Sequence, residues 1–208
     1  MTRSIALALL LTAANSFAQD ATLSKVSGPV FVRAAGAPKD IAATGGEELI
    51  YGDAVKTGPG GTAHIVLAGR GAVLVRENSA FLLQGDSDHT VLRFTVGEFL
   101  IGLRKRLEKG QSFKVRTPGS VAAVRGTLFW GKSDEQKNSA WSGFGHTIAV
   151  TAQGKTVIVH PGESTTVAFG SAPAPVAPST IPLSYTDHFK IDGSLQGLES
   201  LVETPKKP

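Results

Sequence analysis

The sequence predicts an all-β domain, built of antiparallel hairpins in a sandwich, a roll or a short β-solenoid and followed by a short proline-rich tail. Three observations carry that expectation. Apolar and polar residues alternate in short segments, as in Leu92, Phe94 and Val96 against Arg93 and Thr95, the period of a strand with one face buried. Turn signals recur about every 8–12 residues, the rhythm of sandwiches and barrels. Glycine reaches 24 of 208 residues with no Gly-x-y period, so the excess serves tight turns and not a collagen helix. No long window carries the i, i+3, i+4, i+7 spacing of a globular helix.

Taken in order, the elements are short. Gly28-Pro29 precedes a strand at Val30–Arg33, which Gly36-Ala37-Pro38 ends. A strand at 48–51 turns at Gly52-Asp53 into another at Ala54–Thr57, and Gly58-Pro59-Gly60-Gly61 breaks the chain. Residues 62–68 and 72–76 pair across Gly69-Arg70, with glycine first in a type II′ hairpin turn. The alternation at Leu92–Phe94–Val96 is followed by a turn at Gly97-Glu98 and then by Phe99, Ile101 and Leu103. Phe113 and Val115 alternate with Lys114 and Arg116 until Thr117-Pro118-Gly119 stops the strand. A last hairpin joins 148–151 to 156–159 around Gln153-Gly154.

The ends read differently. Arg3, an apolar run over 5–14 and Ser16-Phe17-Ala18 form a secretory signal peptide, residues 1–18, with cleavage after Ala18. Its run of ten residues makes about 15 Å of helix, half of what a bilayer core needs. The body of the domain is 19–170. Pro173, Pro175, Pro178 and Pro182 make 171–182 an extended linker expected to touch the domain little. Residues 183–208 form a tail, with Leu195, Leu198 and Leu201 at the spacing of a short helix. The expected location is periplasmic, or secreted, with no transmembrane segment after the leader.

Charge and chemistry narrow the function. Cysteine is absent, which excludes disulfides, thiolate metal sites, thiol nucleophiles and a lipidated N-terminal cysteine. Lys and Arg number 21 against 17 Asp and Glu; loss of Arg3 with the leader leaves 20 against 17, a net charge of +3. The pI of about 9.4 raises nucleic acid, but export and the lack of aromatics interleaved with the Arg104-Lys105-Arg106 cluster argue against it. That cluster reads as a solvated turn. No G-x-S-x-G elbow or triad context occurs. Gly154-Lys155-Thr156 lacks the first glycine of a phosphate loop, Ala149 standing there. Asp86, Asp88 and His89 share a polar loop without the further ligands a metal site needs. The expectation is a protein that is not an enzyme and has no cofactor.

One constellation is more specific. KVSGPVFVR, GGEELIYGDAVKTGPGGTAHIVL and GAVLVRENSAFLL are followed by VGEFLIGL, QSFKVRTPGSVAAVRGTLFW and GKTVIVHPGESTTV. The series over residues 23–167 resembles the FecR-type domain of bacterial envelope proteins, with its G-D-x-V-x-T-G segment and later F-x-V-x-T-P…V-x-G-T-x-F block. The resemblance implies an all-β extracytoplasmic module. In the best-known members that module follows a cytoplasmic sigma-regulating domain and one membrane helix; here a leader stands in their place. The motif residues are Gly52, Asp53, Thr57, Gly58, Arg125, Gly126 and Thr127, and turn chemistry accounts for them without a ligand. Arg125, between Val124 and Leu128, is expected to pair with Asp53 or with turn carbonyls and clamp the two halves of the domain; the alternative is an exposed Arg125 that binds a ligand. The function expected is an interaction or sensing module whose partner is another envelope protein. The alternative is a module that binds peptidoglycan or another acidic glycan.

Overall fold

The computed structural model describes residues 20–104 and 106–182. The leader with its cleavage point after Ala18, and the tail 183–208, lie outside the described residues. In chain order the strands begin with β1 (Ala21–Ser27), β2 (Val30–Arg33), β3 (Ile41–Ala42), β4 (Glu47–Leu49), β5 (Ala54–Thr57) and β6 (Thr62–Leu67). They continue with β7 (Gly71–Val75), β8 (Ala80–Gly85), β9 (His89–Leu103), β10 (Ser112–Arg116), β11 (Val121–Val124) and β12 (Leu128–Ser133). The series closes with β13 (Ser139–Gly143), β14 (Ile148–Ala152), β15 (Lys155–Val159), β16 (Glu163–Val167) and β17 (Ala177–Pro178). The described residues contain no helix, so the all-β expectation holds.

Two sheets share β9. Sheet I has the order β3-β2-β5-β8-β9-β10-β11-β14-β15. Sheet II has the order β4-β1-β6-β7-β9-β12-β13-β16-β17. The first half of β9 pairs with β8 and β10, the second half with β7 and β12, so one strand passes from layer to layer at the centre of both. The passage is at Gly97, where the expected turn is instead a bend inside a continuous strand. Its φ of 118° lies in the left-handed region, and a Cβ there would stand 2.0 Å from Ser79 Oγ. Only glycine meets both conditions. The same Ser79 Oγ accepts from the Glu98 amide at 3.1 Å, which fastens the bend to the loop before β8.

The facing sides of the sheets enclose one core. Phe81, Phe94, Phe99 and Trp141 run through it as a ring chain, with centroids 5.0, 4.0 and 5.8 Å apart in that order, and all four are buried. Each large ring removes roughly 150–250 Å² of surface from water, so this chain stitches sheet I to sheet II. The Trp141 Nε1–H donates to Ser120 Oγ at 3.0 Å and to Ser139 Oγ at 3.3 Å, satisfying its polar atom inside the core. A second cluster, Ala72, Leu74, Leu100, Leu128, Trp130 and Phe144, lies on the far side of sheet II, with Ile181 packed against it.

Both expected hairpins form, with two refinements. Between β6 and β7 the Arg70 amide bonds to the Leu67 carbonyl at 3.0 Å, so Gly69, at φ 66°, takes the second central position and not the first. Between β14 and β15, Gln153 and Gly154 have φ of 48° and 70°, the paired positive angles of a type I′ turn. Pairing is not purely antiparallel: β10 returns beside the start of β9 in parallel register, Arg93 opposite Arg116.

The expectation of few contacts for 171–182 is corrected. Ala177 and Pro178 pair with Ser164 and Glu163, the Ala174 amide bonds to the Thr166 carbonyl at 2.9 Å, and the Ser179 amide to the Gly162 carbonyl at 2.7 Å. Ser179 Oγ is 2.6 Å from Ser142 Oγ. Proline removes donors, but an edge strand needs donors on one side only, and the alanine and serine between the prolines supply them.

Candidate functional site

The motif residues fall in two places. Gly52 and Asp53 close the turn from β4 to β5. The buried Asp53 carboxylate accepts from the Ala35 amide at 2.8 Å and the Ile50 amide at 3.0 Å, while the Asp53 carbonyl accepts from Leu83 and Leu83 in turn accepts from Gly52. A Cβ on Gly52 would meet the Ala35 Cβ at 2.7 Å. Thr57 Oγ1 donates to the Arg76 carbonyl at 2.6 Å and accepts from the Ser79 amide at 2.9 Å. The Gly58 amide bonds to Pro29. These contacts knit the strands before β9.

Arg125, Gly126 and Thr127 form the crossover from β11 in sheet I to β12 in sheet II. Thr127 is fully buried, and its Oγ1 donates to the His146 carbonyl at 2.9 Å, joining this crossover to the one between β13 and β14. Arg125 is exposed and is not paired with Asp53, which corrects the expected clamp. Flanking by Val124 and Leu128 suggested burial. However, Val124 points into the core, and on a strand the next side chain points the other way.

Arg125 instead lines a groove of about 870 Å³ on the outer face of sheet I. Its floor is one cross-strand row, Lys114, Ala123, Ala149 and Ile158, in register across β10, β11, β14 and β15. The two alanines make the floor low, and Ile158 is 47% exposed. Arg106, Arg125, His146 and His160 stand around it, and no carboxylate is among the lining residues. The same face continues to Arg116 on β10 and Arg93 on β9, opposite one another in register.

No single segment foretold the groove, because its walls come from 106–161 by way of four strands. The usable signal was weaker: the outward positions Lys114, Arg116 and Arg125 in the QSFKVRTPGSVAAVRG block are all cationic.

The polar loop at 86–89 resolves as a turn. Asp86 Oδ1 accepts from the Asp88 and His89 amides at 2.8 Å each, and these bonds hold its carboxyl below the usual carboxylate value. Among the described residues no group of three His, Asp or Glu is placed to hold a metal ion. Nor is any described helix long and apolar enough to cross a membrane.

Comparisons with known proteins agree with this architecture. Residues 53–142 match the family model described as FecR protein, a stretch inside the 23–167 span that carries the sequence resemblance. Two crystal structures, each of a candidate anti-sigma factor from Parabacteroides distasonis ATCC 8503, share the fold with a TM-score of 0.54 and 16% identity. The alignments cover 67% of this chain and 64% and 65% of those chains, so this chain spans just under two thirds of their length. No curated protein matches it. Over residues 53–142, from the turn before β5 into β13, the chain is similar to the FecR family.

Proposed function

We propose that the protein is a non-enzymatic interaction or sensing module of the cell envelope and that its partner is another envelope protein. The observation that supports this best is the groove of sheet I: it is open, cationic, built on a packed sheet and without a carboxylate. Glycoside cleavage needs a pair of carboxyl groups, and the groove lining has none. Binding needs only a shaped surface with fixed charges. The motif residues that the family match includes serve, in this reading, as the frame that holds the groove still. The leader expected at residues 1–18 and the similarity to the FecR family support a periplasmic, or secreted, location. Photo-crosslinking from position 123 in intact cells, followed by purification of the captured protein and its direct titration against this chain, tests the reading. A partner that binds in purified form supports it; crosslinks only to wall glycan overturn it. That second outcome is the alternative reading, an acidic-glycan module, which the same cations favour.

A further inference from the structure

Charge is divided between the two sheets. Apart from histidine, the charged residues in the strands of sheet I are Arg33, Lys56, Arg93, Lys114, Arg116 and Lys155, with no Asp or Glu. Sheet II carries Lys25, Lys132, Glu47, Glu48, Glu98 and Glu163. Within sheet I, Arg33 and Lys56 share Asp40, whereas Arg93, Lys114, Arg116 and Arg125 form no salt bridge among the described residues. Arg93 and Arg116 face each other across neighbouring strands about 4.8 Å apart, a like-charge pairing that is unfavourable in an isolated domain.

We propose that this face, from Arg93 to the groove at Arg125, binds an extended acidic peptide segment of a protein partner. The inference rests on the reading of the protein as a protein-binding module and names the site and chemistry of that binding. The groove combines an apolar floor of Ala123, Ala149 and Ile158 with cations at its rim. An extended peptide has the matching period of two, apolar side chains to one side and carboxylates to the other. Guanidinium groups take carboxylates in bidentate pairs. A polysaccharide fits less well. Sugar rings are commonly held on aromatic faces, and the one aromatic residue lining the groove, Phe113, is 1% exposed. A flat anionic bilayer would not reach the alanine floor of a concave site.

The test uses the mature protein and a fluorescent peptide of alternating Glu and Leu, with a peptide of alternating Lys and Leu as control, read by anisotropy. The Glu–Leu peptide binds and the Lys–Leu peptide does not. Lys114→Ala with Arg125→Ala weakens binding about tenfold or more, and Lys25→Ala on sheet II leaves it unchanged. Both sites are solvent-facing, and an unaltered melting curve certifies that the variants fold. Equal affinity in the double variant overturns the proposal, as does retention of polygalacturonate or of anionic vesicles where the peptide fails. If the peptide fails but a purified envelope partner still binds the double variant, this site is wrong and the broader reading stands.

Discussion

The strands before β9 and the strands after it occupy equal places in the fold, four on each side in either sheet, yet they handle charge in different ways. On the early flank of sheet I, Asp40 lies between Arg33 and Lys56, with Lys56 Nζ 2.5 Å from one carboxylate oxygen. On β9 and the late flank, Arg93, Lys114, Arg116 and Arg125 form no salt bridge among the described residues. The polar groups that brace the early flank are a buried carboxylate, Asp53, and Thr57, whereas neutral hydroxyls, Thr117, Ser120 and Ser139, brace the late one around Trp141. In sheet I the early flank uses Asp40 and Asp53 for internal fastening, whereas the late flank keeps its outer face open to an anion.

The strongest way to break the comparison is to break the strand that joins the flanks. Gly97→Val forces a β-branched residue to a left-handed φ and into Ser79, and should cost about 3–5 kcal/mol or prevent folding; a melting midpoint near wild type would show that the bend is not held as described. Asp53→Ala strands the Ala35 and Ile50 amides and should cost about 2–3 kcal/mol in denaturant unfolding. The late flank should feel less from Trp141→Phe, about 1–2 kcal/mol, since the ring volume largely remains and two hydroxyls can pair with each other. An equal loss in both would erase the contrast.

How far the sequence showed these things depends on how local each is. The alternation of β10, the glycine of the Gln153-Gly154 turn and the family blocks are properties of adjacent residues, and each was legible. The bend at Gly97 looked like a turn because local sequence cannot tell a strand that changes sheets from one that ends. β12 has buried residues on both faces, which removes its alternation. The cations of this face lie far apart in sequence; parallel pairing of β9 with β10 is what sets Arg93 beside Arg116, and nothing within either segment encodes that meeting. Arg125 shows the converse: its apolar neighbours in sequence are not its surroundings in space.

Two smaller effects sharpen the charge comparison. Arg116→Ala should leave stability unchanged or raise it by about 0.3 kcal/mol at low salt, with the gain fading as salt screens Arg93; a clear loss would reveal an acid partner. Asp40 should titrate below its ordinary 3.8, because the Lys56 hydrogen bond and then the charges of Lys56 and Arg33 favour the carboxylate against the opposing push of desolvation. With the folded value depressed, its contribution to stability is present above pH 3.8 and is lost as the pH falls through the lowered value. Lys56→Met should move that titration upward in an NMR series.

The proline-rich segment beside β16 has a consequence for life at high concentration. An exposed strand edge recruits the edges of other copies, and open sheets polymerise that way. Here the last strand of sheet II in the described residues is the two-residue β17, which ends in Pro178 and has Pro175 and Pro182 close by. None of these residues can donate an amide to a newcomer. The proline-rich segment is thus a terminator of that edge of sheet II.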